Sequence, residues 1–259
     1  MLVMAADTLD TRLAGVAEWI RGADRVVVLT GAGISTESGI PDFRGPQGVW
    51  TKDPEAEKRA TLQHYLADRD IRVASWQGRL KHAAWTAQPN AGHLALAELE
   101  RKGRLHTLVT QNVDGLHQRA GSTPEIVVEV HGTIHDVMCM ACGETAPMER
   151  ALARVRAGED DPPCRTCGGI LKSATISFGQ QLVPEVIDRA LEAAAGCDVL
   201  VTLGTTLTVY PVAAMPQVAL EAGARLVIVN AEETAYDGYA HARFTEQLGE
   251  LLPQLVALV

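Results

Sequence analysis

The sequence predicts an α/β fold: a doubly wound parallel sheet carrying a smaller cysteine-bearing module and a helical insertion. Three observations carry this. Unbroken apolar runs recur at 25–30 (RVVVLT), 105–110, 125–130, 199–203 and 225–229, too continuous for strands with one solvated face. Helix-period stripes lie between several of these runs, the alternation of a parallel sheet with crossover helices. Four of the five cysteines form two C-x-x-C pairs, Cys139 with Cys142 and Cys164 with Cys167.

In chain order, Leu9, Leu13, Val16, Ala17 and Ile20 share a helical face before the first strand. The stretch 45–90 holds Trp50, Trp76 and Trp85 and charged helix-like segments but no good strand, so it reads as a helical insertion. Leu94, Leu96, Ala97 and Leu99 precede the second strand, and Val186, Ile187, Ala190, Leu191 and Ala194 the fourth. Leu248, Leu251, Leu252, Leu255 and Leu258 close the chain as a packing stripe. The sheet domain is therefore discontinuous, 1–44, 91–132 and 173–259, with insertions at 45–90 and 133–172.

With 259 residues, 47% of them hydrophobic, the chain can bury a full core, which excludes a disordered or disulfide-scaffold protein. A net charge of −9 disfavours nucleic acid and anionic membranes as partners. The start has no basic n-region, and Gly204, Pro211 and Pro216 break up the longest charge-free run, 199–220. A cytoplasmic location follows as the expectation. In that reducing setting the paired cysteines point to one Zn2+ held by Cys139, Cys142, Cys164 and Cys167. Four thiolates leave no open position, so the metal is structural and pins a module too small for its own core. Cys197 reads as a small buried hydrophobe.

Polar residues gather at the carboxyl ends of the predicted strands, where open α/β sheets bind ligands. Gly31, Ala32 and Gly33 follow the first strand, and such a turn lets backbone and a helix N-terminus approach a pyrophosphate. Thr36 stands where a dinucleotide fingerprint has its third glycine. The loop 39–45 sets Asp42, Phe43 and Arg44 side by side, with Arg44 suited to phosphate and Phe43 to excluding water. The second strand ends in Gln111, Asn112 and Asp114, and the third in His131, the obvious base near neutral pH. Gly204, Thr205 and Thr206 end the fourth, and Asn230 with Glu232 the fifth; small hydroxyls and an amide suit adenosine.

GAGIS, GIPDFRG, TQNVDGLH, HG, the paired C-x-x-C, GTT and VN stand in the order and spacing of the sirtuins, NAD-dependent protein-lysine deacylases, which this chain resembles from about residue 10 to 250. The segments 45–51 and 234–237 are similar to the branch containing the nuclear sirtuins six and seven. The resemblance implies a Rossmann-type domain that binds NAD as a consumed cosubstrate. It assigns Ala32, Gly33, Asp42, Phe43 and Arg44 to the NAD loop. Gln111, Asn112 and Asp114 would line the nicotinamide–ribose pocket and His131 would be the base. Gly204, Thr205, Thr206, Asn230, Glu232 and Leu248 would hold the adenosine half, and Phe178 and Gly179 would pair with an acyl-lysine segment of another protein by strand addition. In the implied route the acyl oxygen attacks C1′ of the nicotinamide ribose, and His131 assists the ribose hydroxyl that next attacks the acyl carbon. The products are nicotinamide, free lysine and O-acyl-ADP-ribose. Mono-ADP-ribosyl transfer from the same NAD site is the nearest alternative, and a non-catalytic NAD-sensing zinc-ribbon adaptor a third. Two departures stand out: Gln180 replaces the usual Glu after Phe178-Gly179, and Trp76-Gln-Gly-Arg79 has the spacing of the desuccinylase-type Tyr-x-x-Arg pair with Trp for Tyr.

Overall fold

The structure is a computed structural model and describes residues 8–43, 45, 48–53 and 60–259. Helix α1 (Leu9–Gly22) starts where the Thr8 hydroxyl accepts the Thr11 N–H, and it buries Leu13, Val16, Ala17 and Ile20. Strand β1 (Val26–Thr30) leads into a 3-10 turn at Ala32–Ser38. Helices α2 (Val49–Lys52), α3 (Leu62–Ala67) and α4 (Arg69–Leu80) follow, and then α5 (Ala91–Arg101), β2 (Thr107–Thr110), α6 (Leu116–Ala120) and β3 (Val127–Glu129). The cysteine region supplies β4 (Gly132–Cys139), β5 (Thr145–Pro147), α7 (Met148–Arg156) and β6 (Leu171–Thr175). The chain ends with α8 (Pro184–Ala195), β7 (Val199–Leu203), α9 (Met215–Glu221), β8 (Arg225–Val229), β9 (Ala242–Phe244) and α10 (Leu248–Leu258).

The large sheet has the order β3-β2-β1-β7-β8-β9, every neighbouring pair parallel. The five apolar runs are five of its strands, and β7 and β8 have the predicted bounds. The sixth, β9, has three residues, too few to show a period; it forms by pairing with β8 and buries Phe244. Side chains alternate across the sheet. Val26 and Val28 face a core with α1, α5 and α10, whereas Val27 and Leu29 face a second core with α8 and α9. With both faces covered, β1, β7 and β8 are almost wholly apolar. Strand order reverses at β1, so a crevice opens above the carboxyl ends of β1 and β7.

The second sheet, β5-β4-β6, is antiparallel. The chain passes from one sheet to the other at His131–Gly132. Gly132 has φ +72°, and a Cβ there would lie 2.0 Å from the Ala174 carbonyl oxygen, so this junction requires glycine. The core under β4, β6 and α7 contains Val137, Met148, Leu152 and Leu171 together with Trp76 of α4. Among the described residues no helix is long and apolar enough to cross a membrane.

Candidate functional site

Every predicted cofactor- and substrate-contacting residue that the structure describes lines one cleft of about 920 Å³ at the strand-order reversal. Arg44, and with it part of the 45–51 segment, lies outside the described residues.

The floor is backbone against backbone. The Gly31 N–H donates to the Leu203 carbonyl, the Gly33 N–H to the Gly204 carbonyl and the Gly204 N–H to the Val229 carbonyl, each at 2.9 Å. A Cβ on Gly33 would lie 2.7 Å from Gly204 Cα. The glycines thus dock the turn after β1 onto the end of β7, and so bring Ala32 and Thr205 to the same rim. Asp42 closes its own loop by accepting the Gly45 N–H (3.0 Å), while Phe43 stands half-exposed at the cleft.

Beyond β2 the polar groups converge. Gln111 donates its amide to Thr205 Oγ1 (2.9 Å). Asn112 donates to the Gly31 carbonyl (3.0 Å) and to Ser35 Oγ (3.2 Å). Ser35 in turn donates to the buried carboxylate of Asp114 (2.8 Å), whose other oxygen accepts the Leu116 N–H (3.0 Å). His131 Nδ1–H donates to the Gln111 carbonyl (3.0 Å). That bond fixes the tautomer and leaves Nε2 unprotonated. Burial pushes the His131 pKa below the ordinary imidazole value, against the smaller upward pull of the Gln111 carbonyl. The ring is therefore a neutral base at pH 7.

At the other end of the cleft Thr206 pairs with Thr208 (3.0 Å), Asn230 donates to the Glu232 carbonyl (2.9 Å), and Leu248 begins α10. Glu37, which the sequence did not single out, accepts the Gly249 N–H (2.9 Å) and holds that helix start at the rim.

The remaining wall differs from expectation at Phe178. Its N–H donates to the Ala60 carbonyl (3.0 Å) and its own carbonyl accepts the Leu62 N–H (2.9 Å), so its backbone is already paired inside the chain. Ser177 and Gln180 close a turn: the Gln180 N–H donates to the Ser177 carbonyl (3.0 Å), and the Gln180 side-chain oxygen accepts the Ser177 N–H (3.2 Å). What Phe178 and Gly179 present to the cleft is a partly exposed ring and the turn glycine. Tyr65 and Arg79 stand nearby and sequence reading left Tyr65 unmarked. The Tyr65 hydroxyl donates to the Leu171 carbonyl (2.8 Å), and Arg79 Nη2 donates to Ser173 Oγ (3.1 Å). Trp76 does not reach the cleft; it is fully buried in the cysteine-module core. Behind this wall Lys172 is buried, and its amine pKa falls to about 7 through burial and the neighbouring Arg79.

The four Sγ atoms of Cys139, Cys142, Cys164 and Cys167 lie within 4.8 Å of one another, with Cys139–Cys167 at 3.5 Å and Cys142–Cys164 at 3.9 Å. Tetrahedral zinc with Zn–S bonds of about 2.3 Å needs sulfurs about 3.8 Å apart. The Ala141 and Gly169 N–H groups donate to the sulfurs of Cys139 and Cys167 (3.4 Å each), which favours thiolate. The residues fit the metal.

Comparison with known proteins agrees with this geometry. The Sir2 family model matches residues 31–211. NAD-dependent protein deacetylase 2 of Streptomyces coelicolor is 52% identical over 91% of this chain and 98% of its own length. NAD-dependent protein deacylase 2 of Pyrobaculum aerophilum is 42% identical, covering 93% of each chain. Among solved structures, a Sir2–p53 peptide–NAD+ complex superposes with a TM-score of 0.83 at 30% identity, covering 94% of this chain and 96% of the other. Sir2Tm bound to a propionylated peptide gives 0.84 at 29% identity, covering 95% and 97%. A strand-order reversal floored by GAGIS, a base fixed on the TQN carbonyl and a separate four-cysteine module thus occur here in one chain, and that chain belongs to the Sir2 family.

Proposed function

We propose that this protein removes acyl groups, acetyl foremost, from lysines of other proteins in the cytoplasm, consuming NAD and releasing nicotinamide, O-acyl-ADP-ribose and free lysine. The observation that carries the reading is His131: its Nδ1–H is spent on the Gln111 carbonyl, so its free Nε2 can accept a proton in the cleft just beyond β3. Bound NAD supplies a glycosidic bond whose cleavage activates the otherwise unreactive amide.

The chain's residues do the rest. The turn 31–33 and the Gly204–Thr206 rim receive the dinucleotide, with Asn230, Glu232 and Leu248 at its adenosine end. Asn112 and Asp114 are held by Ser35 in a fixed orientation beside the ribose, so little reorganisation is needed when charge develops. His131 takes the ribose hydroxyl proton. Phe43 shields the reacting carbon from water in the loop that Asp42 closes, and Arg44 belongs to the same NAD loop by the resemblance. Phe178 and Gly179 contact the acyl-lysine segment through the ring and the turn rather than through paired backbone at Phe178. Cys139, Cys142, Cys164 and Cys167 hold zinc for structure, with no coordination position left for substrate. In this reading 1–44, 91–132 and 173–259 form the NAD-binding unit, 45–90 the helical insertion and 133–172 the metal module.

The test compares wild type with His131→Ala on an acetyl-lysine peptide and labelled NAD. The variant folds and binds NAD but loses at least about 10²-fold in turnover. Undiminished steady-state formation of free lysine and O-acyl-ADP-ribose by the variant overturns the assignment. Label that stays on protein in the wild type, instead of on soluble O-acyl-ADP-ribose, replaces deacylation with ADP-ribosyl transfer.

A further inference from the structure

Helix α4 supplies Arg79 to the cleft, yet it is anchored to the metal module and not to the cores of the large sheet. Trp76 is completely buried in the core that also contains Cys139 and Cys164. The Arg79 guanidinium lies 4.9 Å from the Trp76 ring and 5.4 Å from the Tyr65 ring. A second fastener runs parallel to it. Arg72 pairs with Asp161 (2.7 Å) between the two cysteine pairs, both side chains being mostly buried, and also donates to the Tyr65 carbonyl (3.2 Å). Tyr65 and Arg79 are thus fixed from behind by groups that share a core with two of the four thiols. Removing the metal frees those thiols from one another and loosens that core; the Gly31–Gly204 floor and the adenosine rim rest on other cores.

We propose that Trp76 is a positioning residue through which the four-cysteine metal module sets the Tyr65–Arg79 wall, so that zinc affinity is coupled to acyl-peptide binding more strongly than to dinucleotide binding. This rests on reading the cleft as the acyl-lysine site. Coupling between binding equilibria is reciprocal: if zinc favours the wall that receives the peptide, the peptide tightens zinc by the same factor.

The experiment measures zinc affinity of the holoenzyme by equilibrium competition with a chelator, alone, with ADP-ribose, and with ADP-ribose plus an acetyl-lysine peptide. Peptide raises zinc affinity by about fivefold or more beyond the effect of ADP-ribose alone, within the usual range of such couplings. Trp76→Leu weakens zinc, removes the peptide effect and raises KM for peptide without moving KM for NAD, and Trp76→Phe restores most of each. Zinc affinity indifferent to a peptide that calorimetry shows to bind overturns the coupling and leaves the deacylase reading standing, even if Trp76→Leu does not fold. Absence of peptide binding overturns both.

Discussion

Single residues decide the chemistry. The base proposed at His131 works only when neutral, and burial lowers its pKa below the ordinary 6.5. The sign follows directly: protonation on acidification removes the base, so kcat/KM falls toward low pH, with a midpoint under about 6.5. A pH–rate series locates the acid limb, and a limb centred above neutrality contradicts the buried, Gln111-anchored ring. Much of the site at this scale is legible in the sequence, because Gln111, Asn112, Asp114 and His131 directly follow apolar runs that announce strand ends. Ser35, Tyr65 and Lys172 are not legible. Ser35 matters because packing delivers it to Asp114, and Tyr65 because a distant carbonyl, that of Leu171, accepts its hydroxyl. No local pattern encodes such long-range meetings.

Elements place those residues. The join between the turn after β1 and the end of β7 leaves no room for a side chain: Gly33→Ala puts a Cβ 2.7 Å from backbone. Backbone cannot rotate aside as a side-chain tip can, so the variant loses about 1–3 kcal/mol by overpacking and binds NAD more weakly. Chemical denaturation with calorimetric NAD titration checks this, and unchanged stability together with unchanged binding contradicts the interlock. Strand positions were readable because a strand covered on both faces is apolar without interruption, as in β1, β7 and β8. The small sheet was not: β4 is buried only at Ile134, Val137 and Cys139, with its register shifting between Gly132 and Val137, β5 is largely exposed, and their pairing depends on contacts across the cysteine loop. The 3-10 geometry at Ala32–Ser38 was also hidden, since glycine turns of this kind precede both 3-10 and α-helical segments.

On the scale of the molecule, two histidines beneath the cleft tie stability to pH. Thr30 donates to Thr110 (2.8 Å), so His117 Nε2–H donates to Thr30 (3.0 Å) and Nδ1 is left buried without a partner. His93 lies 4.9 Å away, ring to ring. Burial lowers the His117 pKa to about 3, helped by His93; burial lowers that of His93 to about 4, opposed by Asp114. Both rings gain protons more readily unfolded, where the ordinary value is about 6.5. Their contribution is therefore intact above that value and is lost progressively as pH falls below it. Tm measured by calorimetry drops between about pH 7.5 and about pH 5, and His117→Gln removes part of the slope. A Tm constant over that interval rules out neutral burial of this pair.

The four thiols differ in one further respect. In each C-x-x-C pair the first residue is buried and the second exposed, Cys139 and Cys164 inside, Cys142 and Cys167 outside. A solvent-borne electrophile therefore meets the trailing member of each pair first. Alkylation at those two positions would strip half the ligand sphere before any reagent touched the interior half, so chemical ageing of the protein begins from its outer cysteines.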